Sequence, residues 1–465
     1  MNKDEEQIEQ LPKGKAEKVL LQRIREARAA ARGLTVYRGL LEDKTVAEFA
    51  ALVEMLADDG ARQQAMPLYD AYHSFINRLI RQGTPGSWRD PWQRRLVYAV
   101  LLDENPFSRE AERTAYQDLN PTLKKAVGHD LCCLQRLCAL DTKLLRQAVI
   151  RRLKAADCEL PNQLLPIDCS SLVFSDSGDL EISWRLLTSK DWSREMASLA
   201  GHYFNRGTGE FTRYFAFRWE SRSGAGRLRG IEHPDPIKLE QLVEYQAQKQ
   251  QLIENTRYFL AKLPASNVLL YGKRGTGKSS MVKGLLNRYS SQGLRLVEVA
   301  KENLVDLPEI IGRLRQRAFR FILFIDDLSF EEYEVEYKGL KAVLEGGVES
   351  LPENVLVYAT SNRRHLVREF FQDRERDEEI HRDDTVQEKL SFADRFGVNI
   401  FFPAPSQQVY LQIVEGMARE RGLDIGPEEL HQKALEWERW HNGVSGRTAR
   451  QFVDHLTAEL LYTED

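Results

Sequence analysis

Gly272-Lys273-Arg274-Gly275-Thr276-Gly277-Lys278-Ser279 places glycines, a lysine and a hydroxyl at the spacing of a loop that wraps a phosphate group. Backbone N–H groups must point inward around such an anion, in conformations that a Cβ obstructs, and Gly272, Gly275 and Gly277 supply that freedom. Lys278 brings a positive charge to the β- and γ-phosphates of a nucleotide. Ser279 offers its hydroxyl to Mg²⁺, and the helix expected from Ser280 to Tyr289 adds the partial positive charge of its N-terminus.

Such a loop needs a carboxylate to hold the metal, and Asp326 stands where one is expected. It ends the run Phe321-Ile322-Leu323-Phe324-Ile325, whose continuous hydrophobicity predicts a central strand delivering the side chain to the edge of a sheet. Asp327 follows, at the position where a hydrolytic enzyme places a group to orient the attacking water. The metal site therefore reads as Ser279 plus Asp326, with Lys278, Asp326 and Asp327 as the catalytic candidates.

These residues need a scaffold. From Ile237 onward, short β-rich runs at 267–271, 294–299, 321–326, 355–360 and 398–402 alternate with helical stretches, which predicts an α/β fold with a parallel sheet flanked by helices. A helical segment from about Ser406 to Tyr462 follows. Upstream, residues 17–156 read as successive helices, with apolar residues three and four apart in stretches such as Leu144-Leu145-Arg146-Gln147-Ala148-Val149-Ile150. Leu172-Val173-Phe174 and Leu180-Glu181-Ile182 flank Asp176-Ser177-Gly178, which predicts two short strands and a turn. The aromatic-rich Thr212 to Trp219 reads as a strand. The small residues of Ser221 to Arg227 read as a flexible linker and the main boundary. The expected organisation is a helical N-terminal domain over 1–160, a mixed connector over 161–236, a nucleotide-binding core over 237–403 and a helical lid over 404–465.

Composition narrows the function classes. The 465 residues carry 66 Lys plus Arg against 70 Asp plus Glu, a net charge of -4, so the electrostatic footprint of a nucleic-acid binder is missing and nucleic acid is not indicated as a partner. The apolar runs are far shorter than the ~20 residues of a membrane span. An acidic N-terminus without a secretory-type apolar stretch, and an odd count of 5 cysteines, make a cytoplasmic chain with reduced thiols the expectation.

The residues 264–272, the phosphate loop, Phe324-Ile325-Asp326-Asp327-Leu328-Ser329-Phe330 and Tyr358-Ala359-Thr360-Ser361-Asn362-Arg363-Arg364 together resemble the AAA+ ATPases. The closer similarity is to a bacterial family of AAA+ ATP-binding proteins described as a domain of unknown function. It continues through Leu390 to Gly397 and Ser445 to Phe452. The resemblance implies an AAA+ P-loop core with a small helical lid. It also implies that Asn362 is sensor 1, a polar group orienting water against the γ-phosphate, and that Arg395 is the arginine finger reaching a neighbouring subunit. Arg447 and Arg450 are alternatives for the lid arginine, and the sequence does not choose between them. Ile237, Leu239, Leu242 and Tyr245 resemble the segment packed around the adenine, although an ordinary core role suits each of them too. ATP is expected over GTP, by this resemblance and by the absence of an Asn-Lys-x-Asp guanine signature.

One departure from the pattern is Asp327, where many AAA+ ATPases have Glu; its carboxylate is one methylene shorter and must sit closer to the water. Glu331 and Glu332 read as a solvated acidic turn rather than substitutes. The function expected is Mg²⁺-dependent ATP hydrolysis in a homo-oligomer, coupled to remodelling of a protein partner through the N-terminal domain. The alternatives are a nucleotide-regulated scaffold and a nucleic-acid loader with little intrinsic hydrolysis. Cys132, Cys133 and Cys138, with His129 nearby, read as packing residues rather than metal ligands. The charged run Gln372 to Lys389 reads as a solvated loop, with partner docking as its alternative.

Overall fold

The computed structural model describes residues 13–58, 65–82, 90–155, 164, 177–222, 225–242, 244–329, 336–345, 350–362, 395–441 and 443–462. The expectations for Leu172 to Phe174, Glu331, Glu332 and Gln372 to Lys389 lie outside these residues, as does the start of the Leu390 to Gly397 stretch. The chain forms two compact units, divided between Thr212 and Arg213.

The first unit is helical: α1 (Lys13–Gly33), α2 (Lys44–Ala57), α3 (Ala65–Gln82), α4 (Pro91–Leu102), α5 (Pro106–Ala111), α6 (Pro121–Cys138), α7 (Thr142–Ala155), α8 (Ser177–Thr188) and α9 (Met196–Arg206). Its punctuation is local chemistry. Asp90, Asn105 and Asn120 each precede a proline and cap the helix that follows, their side-chain oxygens accepting from the next free amides. The core holds the stacked rings of Phe49 and Trp92, with centroids 3.8 Å apart. Cys133 and Cys138 are buried on α6, and Cys133 Sγ lies 3.8 Å from His129 Nε2 one turn away.

Two sequence expectations fail here. Leu180 to Ile182 is not a strand but part of α8, because Ile182 and Leu186 recur at helical spacing and bury one face in the core of this unit. The mixed connector over 161–236 does not group as one body either: α8 and α9 belong to the first unit, whereas residues from Arg213 belong to the second.

The second unit is built on β1 (Ala216–Arg222), β2 (Ala225–Gly230), β3 (Val268–Gly272), β4 (Leu294–Glu298), β5 (Arg320–Ile325), β6 (Val355–Ser361) and β7 (Val398–Phe402). They form a seven-stranded sheet in the order β2-β1-β4-β5-β6-β3-β7, parallel except for the β1–β2 hairpin. In its described residues, the stretch read as a linker carries the end of β1 and the start of β2. Gly226 is small because Trp219 crosses it: a Cβ there would fall 1.8 Å from the indole ring, whose Nε1 donates to Asp306. β1 then pairs in parallel with β4, so the sheet starts upstream of the expected core, and its strand begins at Ala216 rather than Thr212.

The period-2 alternation of β5 buries Ile322 and Phe324 with α10 (Gln246–Leu260) and α11 (Lys278–Tyr289) on one face. Phe321, Leu323 and Ile325 are equally buried on the other, so the strand is apolar throughout. The helices α12 (Leu307–Leu314) and α13 (Glu336–Glu345) complete this layer arrangement. Three further helices, α14 (Gln407–Glu420), α15 (Pro427–Trp440) and α16 (Gly446–Tyr462), form the lid around a core of their own that includes Tyr410, Val414, Ala434, Phe452 and Leu456. From β3 the chain crosses β6 and β5 to reach β4. The carboxyl ends of β3, β5 and β6 therefore open side by side at a switch in strand order, where open α/β sheets bind ligands.

Candidate nucleotide site

The loop between β3 and α11 adopts the conformations its glycines allow. Gly272, Gly275 and Gly277 have φ of 139°, 76° and 86°. At Gly272 a Cβ would sit 2.0 Å from the carbonyl oxygen of Phe402, so the loop also packs too tightly on β7 for any side chain. Thr276 Oγ1 donates to the Lys273 carbonyl at 2.9 Å and closes the turn. Lys278 Nζ donates to the carbonyls of Gly272 and Lys273 at 2.9 and 2.8 Å. Burial pulls this ammonium below the ordinary lysine value, and the carboxylates of Asp327 and Asp326 oppose the shift.

β5 delivers the two aspartates. Asp326 Oδ1 accepts from Ser279 Oγ at 2.6 Å and from Thr360 Oγ1 at 2.5 Å. Asp327 has φ of 53°, a left-handed conformation that aspartate tolerates better than most residues. Its carboxylate accepts from Asn362 Nδ2 and lies 3.7 Å from Arg274 Nη2. Asn362 follows the end of β6, which pairs with the strand that precedes the aspartates.

A cavity of about 600 Å³ opens over these groups. Arg274, Gly275, Thr276, Gly277, Lys278, Ser279, Ser280, Asp326, Asp327 and Asn362 line it from the sheet side, and Arg447 and Arg450 face it from the first turns of α16. Gly272 and Lys273, also expected to hold the nucleotide, do not line it; their carbonyls accept from Lys278 Nζ. Both lid arginines reach the same space, so the choice the sequence left open is not made by position. The volume lies within the range of small-molecule sites.

Ile237, Leu242 and Tyr245 line one end of the cavity, and Leu239 is buried beneath them, packed against Gly284. Tyr245 is held at φ of 64° with its hydroxyl donating to the Pro403 carbonyl at 2.8 Å, and burial raises its pKa. Ile413 and Met417 of α14 complete this apolar end, along with Pro405. Sequence reasoning missed them because nothing in a run of lid-helix residues distinguishes a pocket wall from a core face. Thr360 was also missed as a site residue; its only signal was a hydroxyl at the end of a strand otherwise made for burial.

Arg395 is the outlier. It does not line the cavity; Arg395 Nη1 pairs with Glu345 of α13, which Lys341 Nζ also approaches at 3.8 Å.

A phosphate loop on a central strand, tandem aspartates on the next strand but one and a three-helix lid form the AAA+ P-loop fold. A family model described as "Protein of unknown function (DUF815)" matches residues 212–460. The chain belongs to the DUF815 family. The match covers the sheet, the loop and nearly the whole lid of this DUF815 protein, and starts at the division between its two compact units. Among solved structures it is similar to the Thermotoga maritima RuvB Holliday junction branch migration motor, at 15% identity and a TM-score of 0.36, over 49% of this chain and 67% of that one. A variant of that motor gives 16% identity and the same score and coverage. A search of curated proteins finds no match for the DUF815 chain.

Proposed function

We propose that this DUF815 protein binds ATP with Mg²⁺ and hydrolyses it as a homo-oligomer, using phosphate loss to drive a conformational change that remodels a protein partner held by the helical N-terminal unit. The observation that carries this reading is the convergence of Lys278, Ser279 and Asp326 on one cavity that Arg447 and Arg450 face from the lid.

The donor set fits the metal. Ser279 Oγ donates to Asp326 Oδ1 at 2.6 Å, so two hard oxygens stand side by side and would be free to bind one ion once that bond is exchanged, which suits a metal that keeps water and phosphate oxygens for its remaining positions. Bound there, Mg²⁺ supplies charge neutralisation on the β- and γ-phosphates. The rest is the chain's own work. Inward amides of residues 275–279 and the α11 N-terminus hold the phosphates. Lys278 exchanges its two loop carbonyls for phosphate oxygens, and Arg447 or Arg450 closes on them from above. Asp327, oriented by the Asn362 amide, accepts a hydrogen bond from the attacking water. Ile237, Leu242, Tyr245 and Met417 sandwich the adenine.

The oligomer rests on the resemblance of Arg395 to an arginine finger: it pairs with Glu345 and does not line its own cavity, so in that role it would serve a neighbour's phosphate. Near-neutral charge supports a protein partner over a nucleic acid. A second reading, a scaffold that binds ATP and scarcely hydrolyses it, is favoured by the Asp327 carboxylate being engaged by Asn362 and lying close to Arg274. Light scattering with and without ATP, run beside a phosphate-release assay, separates the two. Assembly with turnover supports the motor reading, assembly without turnover the scaffold, and a monomer at all ATP concentrations contradicts both.

A further inference from the structure

Between the two aspartates stands a residue that neither the loop nor the sensor assignment accounts for. Thr360, on β6, is 2% exposed. Its hydroxyl makes two bonds at once: it donates to Asp326 Oδ1 at 2.5 Å and accepts from the Asp327 amide at 2.9 Å. Its carbonyl oxygen accepts from the Leu328 amide at 2.7 Å. One residue thus grips three consecutive positions after β5.

The consequence is geometric. A hydroxyl has one proton and two lone pairs, so the bond it receives from the Asp327 amide leaves its proton directed at Asp326. That fixes which carboxylate oxygen faces Ser279. The same amide bond pins the left-handed residue Asp327, whose φ of 53° turns its side chain toward Asn362 instead of continuing the strand. Metal-holding and water-orienting carboxylates are therefore set by the same side chain.

We propose that Thr360 is a positioning residue of the ATPase site, fixing Asp326 for Mg²⁺ and Asp327 for water through one hydroxyl. This rests on the ATPase reading above. The role needs an oxygen at that place, so serine fulfils it and the isosteric valine does not.

The test compares wild type, Thr360→Val and Thr360→Ser in the full chain, by titration of fluorescent ADP at increasing Mg²⁺ and by steady-state ATP turnover. For Thr360→Val, the Mg²⁺ concentration that half-maximally tightens ADP binding is expected to rise at least tenfold and kcat to fall at least tenfold. ADP affinity without Mg²⁺ stays within about twofold. Thr360→Ser keeps both quantities within about threefold of wild type. If valine does not fold, Thr360→Ala takes its place in the same comparison. A hydroxyl-deleted variant that melts earlier but keeps the wild-type Mg²⁺ dependence and kcat makes Thr360 merely structural and overturns the proposal. A wild-type chain that binds ADP or ATP at no Mg²⁺ concentration overturns the ATPase reading itself.

Discussion

The amide of Gly446, the first residue of α16, donates to the carbonyl of Gly275 in the phosphate loop at 2.8 Å. The lid is thereby hydrogen-bonded to the very loop expected to carry the phosphates. Both partners are glycines for a reason. A Cβ on Gly275 would lie 2.8 Å from Ser445 Cβ, and one on Gly446 would lie 3.0 Å from the Gly275 oxygen. Lid and loop are in direct contact through this bond and these glycines, so a change in the loop at Gly275 is expected to reach the lid.

Gly275→Ala tests that coupling. The residue sits at φ of 76°, where a side chain costs about 1–2 kcal/mol, and the contact with Ser445 adds to it. ADP affinity, measured by fluorescence titration, is expected to fall at least tenfold. Adding Ser445→Gly should recover part of the loss: Ser445 Oγ accepts from the Thr448 amide at 3.0 Å and so caps α16, and glycine is a tolerable replacement for a capping serine. Wild-type affinity in Gly275→Ala would contradict the close packing of lid on loop.

Arg395 and Glu345 make a second pair with consequences. If Arg395 is the finger, Arg395→Ala lowers turnover in assembled protein by about 10³-fold or more while leaving ADP affinity unchanged. Glu345→Gln frees the guanidinium from its ion pair and raises turnover. Equal turnover in wild type and Arg395→Ala, at concentrations where light scattering shows assembly, excludes the finger role.

The loop, its strand and Asp326 were legible in the sequence because each is a contiguous run whose chemistry is local: glycines at fixed spacing, five apolar residues, then a carboxylate. Asn362 was legible only through family resemblance. What could not be read depends on contacts distant in the chain. The glycine and small residues of 221–227 look like a linker until Trp219 is seen lying across Gly226. Leu180 to Ile182 looks like a strand until Ile182 and Leu186 find a helical unit to pack on. Thr360 gains meaning only beside Asp326, 34 residues earlier in the chain.

The centre of the sheet makes a pH prediction. Tyr358 is buried, with its hydroxyl accepting from Asn255 Nδ2 and bonded to Thr256 Oγ1, each at 2.9 Å. Burial holds its pKa up at about 12, against 10 for an exposed phenol. Between those values the folded chain keeps a proton that the unfolded chain has lost. The associated stability is complete below pH 10 and disappears as pH rises through 12. Relative to Tyr358→Phe, the wild type should lose up to about 1.4 kcal/mol per pH unit across this window in denaturant unfolding. Parallel pH profiles for the two chains would contradict the burial of an ionisable hydroxyl at this position.

The most direct measurement is ATP turnover by the full-length chain with and without Mg²⁺, beside Asp326→Asn at the same concentration. Turnover that needs Mg²⁺ and drops at least 100-fold in Asp326→Asn, with the variant still folded, is the predicted result. Turnover that is equal in the two chains, or is indifferent to Mg²⁺, would place the chemistry elsewhere and contradict the assignment of this cavity.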